Sequence, residues 1–406
     1  MFEAVTITSD NIDSGLVAEA LVYYGRVNVV VSGGGLLELI KTFGRDNLVR
    51  AIDHKALQLT YERDQYAVHS EAAPFLTHSF QRFHLSQSSQ GIPINNVADE
   101  ISEMFERTFG KSWETRAFAK KMADLVVERD LRDEIINTSH NDALNRDFMT
   151  EAIRSWIKEM VPEIQLPEDF RIDSMDTGKG IALVTGLDFE EINKFYHRRI
   201  PATHSSVSPA FLLAHIISLR KEMVFGAGAD SDVWLGPGNA AILRTKTDAL
   251  VKMSGKSRTS IKTFHDVEFE GRSFREAINS GERTPDELLT LLEHPDTQKF
   301  KAWIAQQRPD ANFVKEFERA VVAKIGWTQK LPFRFGKIAT FAGIGALIDV
   351  GIGTMGLASL AASGLSALTD AAVGTSDEFL LSKLLKGWKP NQFIDGPAKQ
   401  FVSSDS

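Results

Sequence analysis

The run R-V-N-V-V-V-S, Arg26–Ser32, decides how this chain is read. Its β-branched valines lose side-chain freedom against a helical turn but pack well on a pleated surface. The run lacks the polar alternation of a half-exposed strand, so it reads as a strand buried on both faces inside an α/β layer. On its N-terminal side, Ala4–Thr8 is another short β-branched run, and Asp13 or Ser14 can cap a helix through Tyr24 between the two. On its C-terminal side, Gly33-Gly34-Gly35 reads as a flexible turn. It lacks the G-x-G-x-x-G spacing of a dinucleotide site. Leu36, Leu37, Leu39, Ile40, Phe43, Leu48, Val49 and Ile52 then follow at helical spacing. Leu57–Arg63 and Tyr66–Ser70 are two further strand-like pieces joined by Asp64-Gln65. The order β-α-β-α-β-β predicts a small α/β domain over residues 1–72.

Residues 73–96 are polar and irregular and read as a linker. From 97 to 332 the spacing is mainly helical, with helices expected at Val97–Phe109, Glu114–Asn137 and Asp142–Met160. Phe170–Met175 and Ile181–Thr185 read as a hairpin around Asp176–Gly180. Ser208-Pro209 starts another helix, with Ser as cap and Pro in the first turn. A further helix is expected at Asn239–Met253 and a strand at Thr263–Phe269. Thr284-Pro285-Asp286-Glu287 has the form of a capping box.

Residues 333–406 are expected to form a Gly/Ala-rich helical module and tail. Within Ile338–Leu368 only Asp349 is ionisable, and basic residues flank the stretch at Arg334, Lys337, Lys383 and Lys386. Thr354, Ala358, Ala362 and Ser366 recur every four residues, a small-residue stripe on which another helix can pack closely. Three arrangements suit the stretch: buried helices in a soluble or oligomeric core, a membrane hairpin turning at Gly351 and Gly353, or a single span. The fold class is therefore α+β: a small N-terminal α/β domain, a mostly helical middle and a Gly/Ala-rich C-terminal module.

Composition narrows the chemistry. There is no Cys, which excludes disulfides, thiolate nucleophiles and Cys-ligated metal sites. The formal charge of −8 disfavours general nucleic-acid binding, although a local basic patch is compatible with it. The N-terminus has no secretory pattern, and the chain is expected in the cytoplasm, with a peripheral or partly inserted place at the inner membrane as the alternative. No metal-ligand spacing is found, and no cofactor is assigned.

The candidate residues are loose constellations. Asp10 and Asp13 follow the first strand, where α/β proteins place catalytic carboxylates, and suit helix capping equally. His197, Arg198 and Arg199 form a cationic cluster that can bind phosphate or complement a helix C-terminus. Lys252, Lys256, Arg258, Lys262 and His265 make a basic stretch able to receive phosphates. Ser254-Gly255-Lys256-Ser257 ends like a phosphate-binding loop, but Leu250 stands where its first glycine is needed.

Two functions follow. The first is a non-enzymatic protein that associates with a partner, itself or a membrane through the C-terminal helices, with Asp349, Thr354, Ala358, Ala362 and Ser366 at the contact; a membrane-inserting effector is its variant. The second is an enzyme acting on a phosphate-containing substrate, a nucleotide or nucleic acid, with Asp10, Asp13 or His197 as catalytic candidates.

Overall fold

The chain begins with β1 (Ala4–Ile7), α1 (Ser14–Tyr23), β2 (Arg26–Val31), α2 (Gly33–Phe43), α3 (Arg45–Asp53) and β3 (Leu57–Glu62). These come from a computed structural model that describes residues 3–8, 12–72, 76–84, 94, 96–129, 134–229, 231–254, 268–270, 274–306, 332–334, 338–339, 385 and 388–402. Asp13 caps α1, its carboxylate accepting from the Leu16 amide at 2.7 Å. Gly33-Gly34-Gly35 is not a separate turn, as the sequence suggested, but the first turn of α2, with Ser32 as cap. Nor is Leu36–Ile52 one helix. Gly44 adopts φ 75°, which L side chains resist, and divides it into α2 and α3.

Next come β4 (Asp64–Glu71), β5 (Thr77–His84), α4 (Val97–Phe109), α5 (Trp113–Leu125), β6 (Val126–Arg129), α6 (Glu134–Leu144) and α7 (Arg146–Met160). Two expectations are corrected here. Residues 77–84 of the supposed linker form a strand, paired antiparallel with β4 from Thr77 to His84. The supposed helix Glu114–Asn137 is interrupted by β6, which pairs parallel with β3. The anticipated hairpin is present as β7 (Ile172–Asp176) and β8 (Ile181–Thr185). It is followed by α8 (Phe189–Tyr196), α9 (Pro209–Gly228), β9 (Asp232–Trp234) and α10 (Pro237–Ser254).

The remaining described elements are β10 (Glu268–Glu270), α11 (Phe274–Asn279), α12 (Pro285–Glu293), α13 (Pro295–Gln306), β11 (Pro332–Arg334), β12 (Ile338–Ala339) and two short helices, α14 (Pro390–Phe393) and α15 (Lys399–Val402). The capping box at Thr284 is formed in full: Thr284 Oγ1 accepts from the Glu287 amide and Glu287 accepts from the Thr284 amide. The tail is docked. Phe393 stacks on Phe300 at 4.4 Å, and Arg283 donates to the carbonyls of Phe401 and Gln400 at 2.7 and 2.9 Å.

Among the described residues three sheets result, and the fold is α+β, with parallel and antiparallel pairing. The largest has the order β12-β9-β1-β2-β3-β6, all parallel except β12. Strands β4, β5, β8 and β7 form an antiparallel sheet, and β10 pairs with β11. The main sheet thus joins strands from residues 1–72 to β6 and β9 of the 97–332 stretch.

Strand alternation separates two faces of this sheet. Val5, Ile7, Val27, Val29, Val31, Leu57, Leu59 and Tyr61 pack with α1 to α5 and α11 to α13 in one apolar cluster. Full burial of each such valine contributes about 1.5–3 kcal/mol. The opposite face carries Thr6, Thr8, Asn28, Thr60 and Glu62, all buried. Val30, Val233 and Leu235 belong instead to a second apolar cluster that takes in residues of α7, α9 and α10. The strand read as buried on both faces is so: Val27, Val29 and Val31 fill one cluster, while Val30 meets the other beside the buried polar Asn28.

Candidate functional site

The order of the main sheet reverses at β1. The chain proceeds outward from β1 through β2, β3 and β6, then returns to place β9 on the other side of β1. In open parallel sheets the carboxyl ends of the strands at such a reversal frame a crevice where ligands bind. Thr8 follows β1 here. On the other side Leu235-Gly236 leads from β9 directly into α10, whose first residue is Pro237.

A chain of buried polar side chains spans this point. Glu222 of α9 is fully buried and accepts from Thr8 Oγ1 at 3.3 Å through Oε1. Its Oε2 accepts from Asn239 Nδ2 at 2.8 Å. Asn239, in the first turn of α10, places Oδ1 2.6 Å from His215 Nδ1. The carboxylate can only accept, so the Asn239 amide group faces Glu222 and its oxygen faces His215. Facing that oxygen, His215 Nδ1 is the donor of the 2.6 Å hydrogen bond. The half-buried imidazole stands against Phe211 at 4.8 Å and Trp156 at 5.5 Å.

Two further buried groups belong to the same sheet face. Lys221 Nζ is 3.5 Å from Glu62 Oε2 at the end of β3, with side-chain exposures of 9% and 5%. Deeper in, Thr60 Oγ1 donates to Asn28 Oδ1 at 2.9 Å and Asn28 Nδ2 donates to Thr6 Oγ1 at 3.1 Å. Thr6 is 2.6 Å from Ser231 Oγ, so the ladder crosses β3, β2 and β1 to the residue before β9. These hydrogen bonds satisfy groups that would be costly to bury alone.

The residues singled out from sequence lie elsewhere. Asp13 is engaged in capping, accepts from Asn279 Nδ2 at 3.1 Å and pairs with the Arg275 guanidinium. Nearby, Glu19 is buried and accepts from the Arg275 amide at 3.2 Å; burial pushes its carboxyl up to about 7, against the lowering effect of Arg275. His197 caps the C-terminus of α8, with Nδ1 at 3.3 Å from Ile200 O and Nε2 at 3.2 Å from Ser206 Oγ. Arg198 lies over the Phe195 ring at 4.6 Å, and Arg199 pairs with Glu163 at 2.6 Å. This is the helix-terminal arrangement, and Asp13 and His197 share none of these partners. Lys252 falls on α10. Its side chain, and Asp10, Lys256, Arg258, Lys262, His265, Asp349, Thr354, Ala358, Ala362 and Ser366, lie outside the described residues.

Sequence reading missed His215, Lys221, Glu222, Asn239 and Glu62 as a group. Its available signals were His215, Lys221 and Glu222 among the apolar residues of one helix, and Asn28, Thr60 and Glu62 among the apolar residues of two strands. Among the described residues no group of three or more His, Asp or Glu side chains is placed to hold a metal ion, and no helix is long and apolar enough to cross a membrane. A depression of about 280 Å³ lies away from the crevice, where Asp46, Arg50, Asp53 and Lys121 mix both charge signs. Its Arg50 is bound to Glu293 at 2.5 Å. Compared with family models, curated proteins and solved structures, the chain matches none.

Proposed function

We propose that the chain is an enzyme in which His215 serves as general base and acid on a phosphate-containing substrate at the start of α10. The observation that carries the reading is Asn239 held between Glu222 and His215. A buried carboxylate that fixes an amide, which in turn fixes an imidazole, sets a tautomer and an orientation. Apolar side chains of similar volume would pack the same space at no loss of stability, so buried charge here favours a working role. The N-terminus of an 18-residue helix beside the imidazole supplies the partial positive charge that attracts phosphate. In this reading His215 Nε2 takes a proton from water or a substrate hydroxyl as the new bond to phosphorus forms. It then returns the proton to the leaving oxygen.

The test is phosphate release or ester cleavage across a panel of nucleotide and simple phosphate mono- and diesters, with His215→Gln beside the parent. Turnover by the parent that falls about 10²–10⁴-fold in the variant supports the proposal. Equal rates in both proteins, or no turnover by the parent on any member, would count against it.

A second reading is association through Ile338–Leu368 with a partner, a second copy or a membrane. It is favoured by the two places where the chain is held. Ile338-Ala339 pairs with β9 on the main sheet, and Phe393, Phe401 and Val402 are buried in the cluster beneath it. Asp349→Leu separates its forms by fractionation. A shift of the variant into the membrane pellet with folding intact supports insertion, because a charge cost of about 2.5–3.5 kcal/mol at mid-helix is removed. A lower melting temperature with unchanged solubility supports a soluble contact.

A further inference from the structure

We infer that the indole N–H of Trp156 and the first turn of α10 form a seat for one oxygen of the substrate's phosphate group, an inference that rests on the enzymatic reading above. Trp156 lies on α7, is fully buried, and its Nε1 has no hydrogen-bond partner among the described residues. A buried donor left without an acceptor opposes folding, and phenylalanine would fill most of the same volume without one. The neighbouring rings of Tyr196 and Phe211 are 6.0 and 5.7 Å away between centroids and carry no oxygen or nitrogen bonded to it.

The N–H lies instead against the first turn of α10. A Cβ placed on Gly238 would stand 2.4 Å from Trp156 Nε1 and 3.4 Å from His215 Cε1. Gly238 is therefore the point where the indole nitrogen, the imidazole edge and the helix start meet, and any side chain there would occupy it. Pro237 has no N–H, so Gly238 and Asn239 supply the first amides of the helix, which have no intrahelical acceptor. The indole donor and the helix start thus meet beside the Cε1 edge of the His215 imidazole. A tetrahedral oxyanion with one oxygen on these donors would present its phosphorus side to His215.

Inorganic phosphate is the probe, titrated calorimetrically into the full chain and followed by melting temperature. The parent is expected to bind phosphate and to melt higher in its presence. Trp156→Phe is expected to bind about tenfold or more weakly, the loss of one hydrogen bond to a charged acceptor. Without phosphate it should melt no lower than the parent, which a merely structural role for the indole would not allow. Gly238→Ala should show the same loss of phosphate; because its Cβ would press on the buried indole at 2.4 Å, the Trp156 indole N–H resonance of the ¹⁵N-labelled parent, expected to shift on phosphate addition, keeps the test open if either variant misfolds. His215→Gln should retain phosphate while losing turnover. Equal phosphate affinity in the parent and both seat variants would overturn the seat and leave the enzymatic reading standing, as would no phosphate binding by a parent that turns over esters. Loss of turnover in none of the three variants would overturn both.

Discussion

His215 Nδ1 and Asn239 Oδ1 are 2.6 Å apart, and the same Asn239 side chain donates to the buried carboxylate of Glu222 at 2.8 Å. The relationship makes Glu222 a positioning residue that acts on His215 through Asn239. Glu222→Gln preserves shape but lets the Asn239 amide turn over, so the imidazole loses its defined tautomer. Turnover should fall about 10²-fold or more while the fold is retained. Paired melts and steady-state rates check this, with the split between kcat and KM as the diagnostic: the loss belongs in kcat.

The Lys221–Glu62 pair makes a stability prediction. Both side chains are almost fully buried, so Lys221→Met leaves Glu62 without its cation and should cost about 3–5 kcal/mol. Lys221→Met combined with Glu62→Leu should recover most of that loss. Urea denaturation of the two single variants and the double variant measures the coupling, and additive losses would show that the two groups do not depend on each other.

Glu19 gives a pH dependence of defined sign. Its folded-state value of about 7 lies above the ordinary 4.5, chiefly because of burial. Between these values the folded chain keeps a proton that the unfolded chain has lost, so this group's contribution makes stability fall as pH rises, with the full penalty above pH 7. Glu19→Gln should therefore match the parent near pH 4 and exceed it by about 3 kcal/mol near pH 8. Melting curves at the two pH values decide it. An advantage confined to acid would reverse the sign.

Thr284 carries a smaller and more local expectation. Thr284→Ala removes the acceptor of the Glu287 amide and should destabilise the chain by about 1 kcal/mol. Chemical denaturation resolves a change of that size.

The elements legible in the sequence are those whose cause is local. The capping box at Thr284, the Ser208 cap with Pro209 and the Ile172–Thr185 hairpin are each written within a few consecutive residues, and each is present. Strand β6 was not legible, because Val126–Arg129 is extended only through its pairing with β3, more than sixty residues earlier. The break at Gly44 was hidden by apolar spacing that continues across it. The site was least legible of all. Thr8 and Glu222 are 214 positions apart, and His215 and Asn239 lie on the two helices that flank β9. A carboxylate inside an apolar helix, or an asparagine inside a valine strand, marks a buried polar partner in advance. It does not say which partner.

The central claim is that His215 is held as the Nδ1-protonated tautomer with Nε2 basic. Long-range proton–nitrogen correlation NMR on the ¹⁵N-histidine-labelled full chain at neutral pH, with Asn239→Leu as the control, tests it most directly. The account predicts a single Nδ1–H tautomer for His215 in the parent and its loss in the Asn239→Leu variant. An Nε2–H tautomer in the parent, or the same tautomer in both proteins, would contradict it.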